Sequence, residues 1–300
     1  MGIGRKQERI MCFKTFLSKL KLRKFDLLIV KALAPTLSFV VAVVSFAFIF
    51  LPTPSEWKQR LGSFAVILVS IVFILLFKWW LISRRNLLKL KITGVNIVIT
   101  TGNIWNEGGL KVIAFNEYFD TIVDDCIIDK KSLNGQYVQK KVIDLNDFDR
   151  RISEATTLRG RIIGENAKRI SGKKTRYKLG SVVVDGDYIL TAFSRFDKYD
   201  CANLTIPEYI GCLMNLWREI NRVYAQKNVA LPLLGDGITR FIDSRGERLP
   251  RQTLLWLILW AFTQAGCKFA ARTNIKIVLT KEAMADIDFV ALEAMVGGMV

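Results

Sequence analysis

Two long apolar runs open the readable part of the chain. Residues 33–51 and 61–82 are hydrophobic at nearly every position, and the short polar stretch 52–60 separates them. As helices, at about 1.5 Å per residue, each would be roughly 30 Å long, close to the hydrocarbon thickness of a bilayer. Pro35 falls in the first turn of the first run, where its missing N–H costs little. Lys78 lies near the end of the second run, within snorkelling reach of an interface. Trp57 at one boundary and Trp79 and Trp80 at the other suit interfacial belts. The pattern predicts a two-helix transmembrane hairpin over residues 33–82. A buried helical pair in a soluble protein is the alternative.

The pattern then changes. Short apolar runs at 95–100 and 110–115 predict strands, and the second is continuous, as in strands covered on both faces. Residues 180–193 read as a hairpin turning at Asp185-Gly186-Asp187. An amphipathic helix over 207–225 leads into a short buried strand at 228–230. Residues 254–265 predict a helix that is apolar nearly all round, too short to be a third span. A last strand at 273–280 precedes a terminal helix. Alternation of buried strands with helices defines an α/β layered domain. The organisation expected is a basic amphipathic segment over 1–32, the hairpin over 33–82, a linker over 83–92 and one domain over 93–300.

Charge sharpens this division. The 300 residues carry a net charge of +17, but residues 1–92 hold 16 Lys/Arg against 3 Asp/Glu, whereas residues 93–300 hold 28 against 24. The excess therefore flanks the apolar runs, which argues against a nucleic-acid partner. It places both termini on the cytoplasmic side of an inner membrane, with the 93–300 domain inside the cell. Residues 1–32 read either as a helix lying on an anionic lipid surface, with Ile10, Phe13, Leu17 and Leu20 at helical spacing, or as a basic leader. Residues 130–178 hold 14 Lys/Arg against 5 Asp/Glu. They read as surface helix and loops, a solvated face, with a partner or phosphate patch as the alternative.

Candidate chemistry is narrow. There is no histidine, which removes Ser-His-Asp and Cys-His catalysis and H-E-x-x-H metal sites. The five cysteines are scattered without a C-x-x-C pair, so neither a zinc site nor a disulfide framework is expected. Asp120, Asp124 and Asp125 suggest a metal, but only the first two share helical spacing, and helix N-terminal charge is the commoner use. No metal or cofactor is assigned.

Three strand-end loops carry the functional reading. Gly102-Asn103-Ile104 follows one strand, Asn116-Glu117-Tyr118-Phe119-Asp120 the next, and Leu234-Gly235-Asp236-Gly237-Ile238-Thr239 a later one. Glycines permit positive φ and close approach, and such turns can present amides to an anion. The ordered set resembles the macrodomain family, which binds ADP-ribose and related nucleotides. The resemblance implies a macro-like three-layer domain with a mixed central sheet. It implies that Asn103 and Ile104 meet adenine, that Asn116, Glu117, Phe119 and Asp120 form the ribose loop, and that residues 234–239 wrap the diphosphate. Asn116 reads equally as a strand-end cap, and Phe119 equally as a core aromatic. The wording of residues 116–121, with Ser132-Leu133-Asn134-Gly135-Gln136 after it, is similar to the macro-like domain joined to two membrane spans in one branch of the Thoeris antiphage system. That resemblance implies a nucleotide signal, histidine-ADP-ribose, made by a TIR-domain enzyme. It further implies a homo-oligomeric effector that injures the membrane and does not catalyse. Three departures stand out. The family's adenine-contacting Asp is Asn103 here, a neutral amide that can still hydrogen-bond adenine as donor or acceptor. The ribose loop keeps only its first Asn, which favours binding over hydrolysis. Asp236 sits inside a diphosphate loop, where it either braces the turn or meets a cationic part of the ligand. A membrane-tethered ADP-ribose hydrolase and a ligand-free scaffold are the rival readings.

Overall fold

The computed structural model describes residues 27–50, 57–83, 85–197, 201–237, 239–241 and 248–297. The chain forms two compact units, residues 1–85 and 86–300.

The first unit contains helices α1 (Leu27–Phe50) and α2 (Trp57–Ser83). They coincide with the two apolar runs, and the Lys78 ammonium donates to the Thr36 hydroxyl between them. Among the described residues no helix is long and apolar enough to cross a membrane. The expected basic segment, up to residue 26, and the polar stretch at 52–56 lie outside the described residues.

The second unit is built on a mixed nine-stranded sheet. β1 (Leu87–Ile92) and β2 (Val95–Thr101) form an antiparallel hairpin across Thr93-Gly94, both at positive φ as a tight right-twisted turn requires. The linker expected over 83–92 is therefore mostly strand. Lys89 and Lys91 alternate with the inward Leu88 and Ile92, and the lysines disguise an edge strand as a charged connector. Next along the chain come β3 (Leu110–Asn116), helices α3 (Leu133–Lys141) and α4 (Leu145–Glu154), and a ribbon of β4 (Ile162–Glu165) with β5 (Thr175–Tyr177). β6 (Val182–Asp185), β7 (Tyr188–Phe196) and β8 (Ala202–Leu204) follow. Helix α5 (Ile206–Val223) is started by a capping box between Thr205 and Glu208. Then come β9 (Val229–Pro232), β10 (Arg240–Phe241), α6 (Arg251–Gln264), β11 (Asn274–Leu279), α7 (Lys281–Ala285) and α8 (Phe289–Gly297).

The sheet runs β1-β2-β11-β9-β3-β7-β8-β10, with β6 paired to the first half of the β7 edge and β8 to its end. β2, β11, β9, β3 and β7 are parallel to their neighbours in that series. Strand residues alternate between two cores. Val112, Ile189, Leu231 and Ile277 join α5, α6 and α8 on one face. Ile113, Leu190 and Ala192 join α3 and α4 on the other through Tyr137, Val138, Phe148 and Ile152. Helices thus cover both faces, which gives three layers and explains why β3 is apolar almost without interruption. The buried Trp217 on α5 donates its indole N–H to the Ile258 carbonyl of α6 at 3.1 Å, fixing that helix pair.

Candidate ligand-binding cleft

The parallel strands β3, β7 and β9 end along one rim of the sheet. A cleft of about 340 Å³ opens there. It is bounded by the ends of β3 and β7 at Asn116 and Ser194, by the turn after β9, and by residues 127–134. Binding sites of open α/β sheets form at such carboxyl ends because the connecting loops splay apart there.

The glycine turn is built from the core outward. Asp236 N–H donates to the Leu233 carbonyl at 3.2 Å and closes the bend. Gly235 has φ +89°, and a Cβ there would lie 3.1 Å from Leu254 Cδ2 and 3.3 Å from Tyr209 Cε2. Glycine is therefore required both for conformation and for packing. The buried Tyr209 hydroxyl donates to the Leu234 carbonyl at 2.9 Å. In a planar trans peptide the Gly235 N–H points opposite to that carbonyl, away from the core. Gly237 differs: among the described residues a Cβ there would meet nothing within 4 Å, and the residue lines the cleft. Leu234, Gly235 and Thr239 line it too, while Ile238 lies outside the described residues. Asp236 braces the turn, since its carboxylate accepts from Arg251 Nε at 2.6 Å and the same guanidinium reaches Asp286 at 2.7 Å. These two carboxylates hold the Arg251 pKa above its usual value.

The 116–120 loop is arranged differently from the expectation. Asn116 Oδ1 accepts from the amides of Tyr118 (3.0 Å) and Asp120 (3.2 Å), and its Nδ2 donates to Asp120 Oδ2 at 2.7 Å. Asp120 is fully buried, paired with Arg169 at 2.7 Å and accepting from Lys173 N–H at 2.8 Å. The Arg169 guanidinium lies 4.0 Å above the Tyr118 ring. Glu117 is buried and accepts from Arg176 at 3.0 and 3.1 Å. Phe119, at φ +50°, is a core side chain set edge-on to Tyr177 at 5.5 Å. Of these four assigned ligand residues, only Asn116 lines the cleft. Glu117, Phe119 and Asp120 turn inward because a loop between two packed layers must satisfy its own amides and charges.

Asn103 and Ile104 stand outside the cleft lining. Asn103 Oδ1 accepts from Trp105 N–H at 3.1 Å and caps a single 3-10 turn over Ile104–Asn106. Ile104 packs with Ala230 and Val278, and Leu133, a cleft residue, packs against that cluster.

The wall formed by 127–134 has no place in the sequence assignment. Asp124 Oδ1 accepts from Cys126 N–H at 2.9 Å and Ile127 N–H at 2.7 Å, which presents Ile127 and Ile128 to the cleft. The Ile127 and Cys126 amides also hold the Asp124 carboxyl below its usual pKa. Ser132 caps α3 through Gly135 N–H at 2.9 Å. Gly135 is dictated by closeness: a Cβ there would sit 2.3 Å from the Asp129 carbonyl oxygen. Asn134, in the first turn of α3, is 8% exposed and lines the cleft, and its Oδ1 has no hydrogen-bond partner among the described residues. A buried acceptor left this way is costly unless a ligand donates to it. The only local signal for this wall was the run Ser132-Leu133-Asn134-Gly135, a cap followed by a polar residue facing inward. Ser194 and Phe196 join the cleft only through the parallel register of β7 beside β3. Among the described residues, the ionisable side chains lining the cleft are Asp129 and Lys131.

A mixed sheet between two helical layers, with a cleft at its carboxyl rim beside a glycine turn, defines a macro-type domain. The family described as Thoeris protein ThsA, Macro domain, matches residues 97–280. A relative, Thoeris protein ThsA of Bacillus amyloliquefaciens (strain Y2), is 41% identical over 213 residues, covering 69% of this chain and 70% of the relative. The chain belongs to the Thoeris ThsA macro-domain family. Among solved structures, an Oceanobacillus iheyensis macrodomain mutant matches with a TM-score of 0.46 and 14% identity, over 71% of this chain and 100% of that one. An Oceanobacillus iheyensis macrodomain with ADP matches with a TM-score of 0.42 and 14% identity, over 71% and 97%.

Proposed function

We propose that the cleft binds an ADP-ribose-derived messenger, histidine-ADP-ribose by the resemblance, and that the chain is a sensor and effector rather than a hydrolase. The observation that carries this reading is the pairing of two features on one cleft. The Gly235 amide faces away from the core, where a diphosphate can accept from it, and the buried Asn134 carbonyl awaits a donor. Lys131 on the same cleft supplies positive charge for an anionic ligand. In this reading a TIR-domain enzyme supplies the messenger. The 33–82 hairpin anchors the chain in an inner membrane with both termini cytoplasmic. The charge asymmetry supports that placement, as do the exposed apolar side chains of Phe39, Val66, Val69 and Phe73. Two spans per chain cannot enclose a wide pore, so output requires self-association, and the messenger must favour the assembled state over the resting one.

The test is calorimetry on the purified full chain with ADP-ribose and its histidine conjugate. Gly237→Val fills open space rather than core, so it should lower affinity at least tenfold while the melting temperature stays unchanged. No heat with any ADP-ribose compound, or unchanged affinity in Gly237→Val, would overturn the reading. One observation favours the hydrolase alternative, the Asp129 carboxylate on the cleft lining. Against it, the Asn116 amide is engaged in holding Asp120. Release of product from an ADP-ribosylated substrate would decide for hydrolysis.

A further inference from the structure

The second half of the charge-dense 130–178 segment takes no part in the cleft lining, and it has a shape the sequence did not indicate. Residues 159–178 carry eight Lys/Arg and one acid, Glu165. They form the β4–β5 ribbon and its flanks, extended by Asn166 N–H to Lys174 O at 2.9 Å and Lys178 N–H to Arg161 O at 2.8 Å. The cations divide into two sets. Arg161, Arg169, Lys173 and Arg176 hold the ribbon to the domain through Glu219, Asp120, Asp149 and Glu117. Arg159, Lys168, Lys174 and Lys178 face solvent. Isoleucines lie among this second set: Ile162 is 57% exposed, Ile163 49% and Ile170 100%. The register shift between Ile162 and Gly164 makes Ile163 an extra residue, and this bulge is where two consecutive isoleucines are both exposed.

We propose that this ribbon is a docking surface for an anionic lipid headgroup layer. Exposed aliphatic side chains ringed by cations match such a surface on both counts, since the isoleucines can enter the headgroup boundary while the ammonium groups meet lipid phosphates. A single-stranded nucleic acid would call for aromatic platforms, and no exposed aromatic residue stands among 159–178. Lysines that merely guard an edge strand would explain the charge, but not a wholly exposed isoleucine at 170. The four inward ion pairs make the ribbon a fixed part of the domain, so its outward face is displayed without an ordering cost. The inference is independent of the ligand reading.

The test uses the full chain with Ile170 replaced by the photo-crosslinking residue benzoylphenylalanine, mixed with vesicles, floated and illuminated. In vesicles of 7:3 phosphatidylcholine and phosphatidylglycerol, lipid adducts at position 170 should exceed those in pure phosphatidylcholine at least fivefold. The same group at position 281 should give few adducts in either. The triple change Lys168→Glu, Lys174→Glu and Lys178→Glu should reduce the adduct at 170 by at least tenfold, as should 0.5 M NaCl. Flotation with neutral vesicles but no adduct at 170 in either lipid overturns the ribbon proposal and leaves the hairpin anchor standing. Flotation and adducts with anionic vesicles alone support the ribbon and reject the anchor. Equal adducts in both lipids, adducts that survive the triple change, or adducts to a single-stranded RNA probe without lipid overturn the proposal.

Discussion

Two loops leave neighbouring strands of one sheet and approach the same cleft, yet they meet opposite fates. Residues 116–120 carry the chemistry a ligand site is usually credited with: an amide, two carboxylates and two aromatic rings. Nearly all of it is used internally, in the Asn116–Asp120–Arg169 cluster and the Phe119–Tyr177 contact. Residues 233–239 offer little side-chain chemistry, and their turn stays open to the cleft at Gly237. The difference teaches that polar side chains able to bind a ligand bind backbone equally well, whereas a glycine has nothing to turn inward. The open loop is held by others, through Tyr209 and Arg251.

Experiments can break this contrast, beginning with the largest expected effect. Asp120→Ala leaves the Arg169 guanidinium, 5% exposed, without its carboxylate. It should destabilise the domain by about 3–5 kcal/mol in urea unfolding, and a loss below about 1 kcal/mol would mean the loop is not self-braced. Gly235→Val should lose about 2–4 kcal/mol, because its φ of +89° and the nearby Leu254 side chain both resist a Cβ. Gly237→Val should stay within about 0.5 kcal/mol of the parent; similar losses at both positions would refute the division between scaffold and site. Asn134→Leu reverses the sign. Removing an unpartnered buried acceptor should stabilise the unliganded protein by up to about 1 kcal/mol, while affinity for ADP-ribose compounds falls. Reduced stability with unchanged affinity would assign Asn134 to the fold instead.

The smallest effect concerns acid. The amides of Ile127 and Cys126 depress the folded-state pKa of Asp124 below its ordinary 3.8. Its stabilising contribution is therefore complete above that ordinary value and is lost as pH falls through the lower folded one. Urea midpoints at pH 6 and pH 3 should differ less in Asp124→Asn than in the parent, and an unchanged difference would remove this carboxylate from the account of the wall.

Periodicity revealed what depends on local burial. The continuous run at 110–115, the hairpin at Asp185-Gly186-Asp187 and the apolar helix before residue 265 all read directly as elements, because each buries its own side chains. β1 did not, since an edge strand alternates lysine with leucine and looks like a connector. The β4–β5 ribbon escaped for a related reason, as its isoleucines point outward and its charges point both ways. Within the cleft, the glycine turn was legible because its conformation is local. The 127–134 wall and the end of β7 were not. Ser194 comes beside Asn116 only through the pairing of β3 with β7 across some eighty residues of sequence.

The closed loop also sets where new specificity can arise. With Asn116 committed to its neighbours, changes at 117–120 trade foldability for little altered recognition. A directed-evolution library aimed at another messenger would do better to leave that side intact and vary Ile128, Lys131, Ser194 and Phe196, which face the cleft.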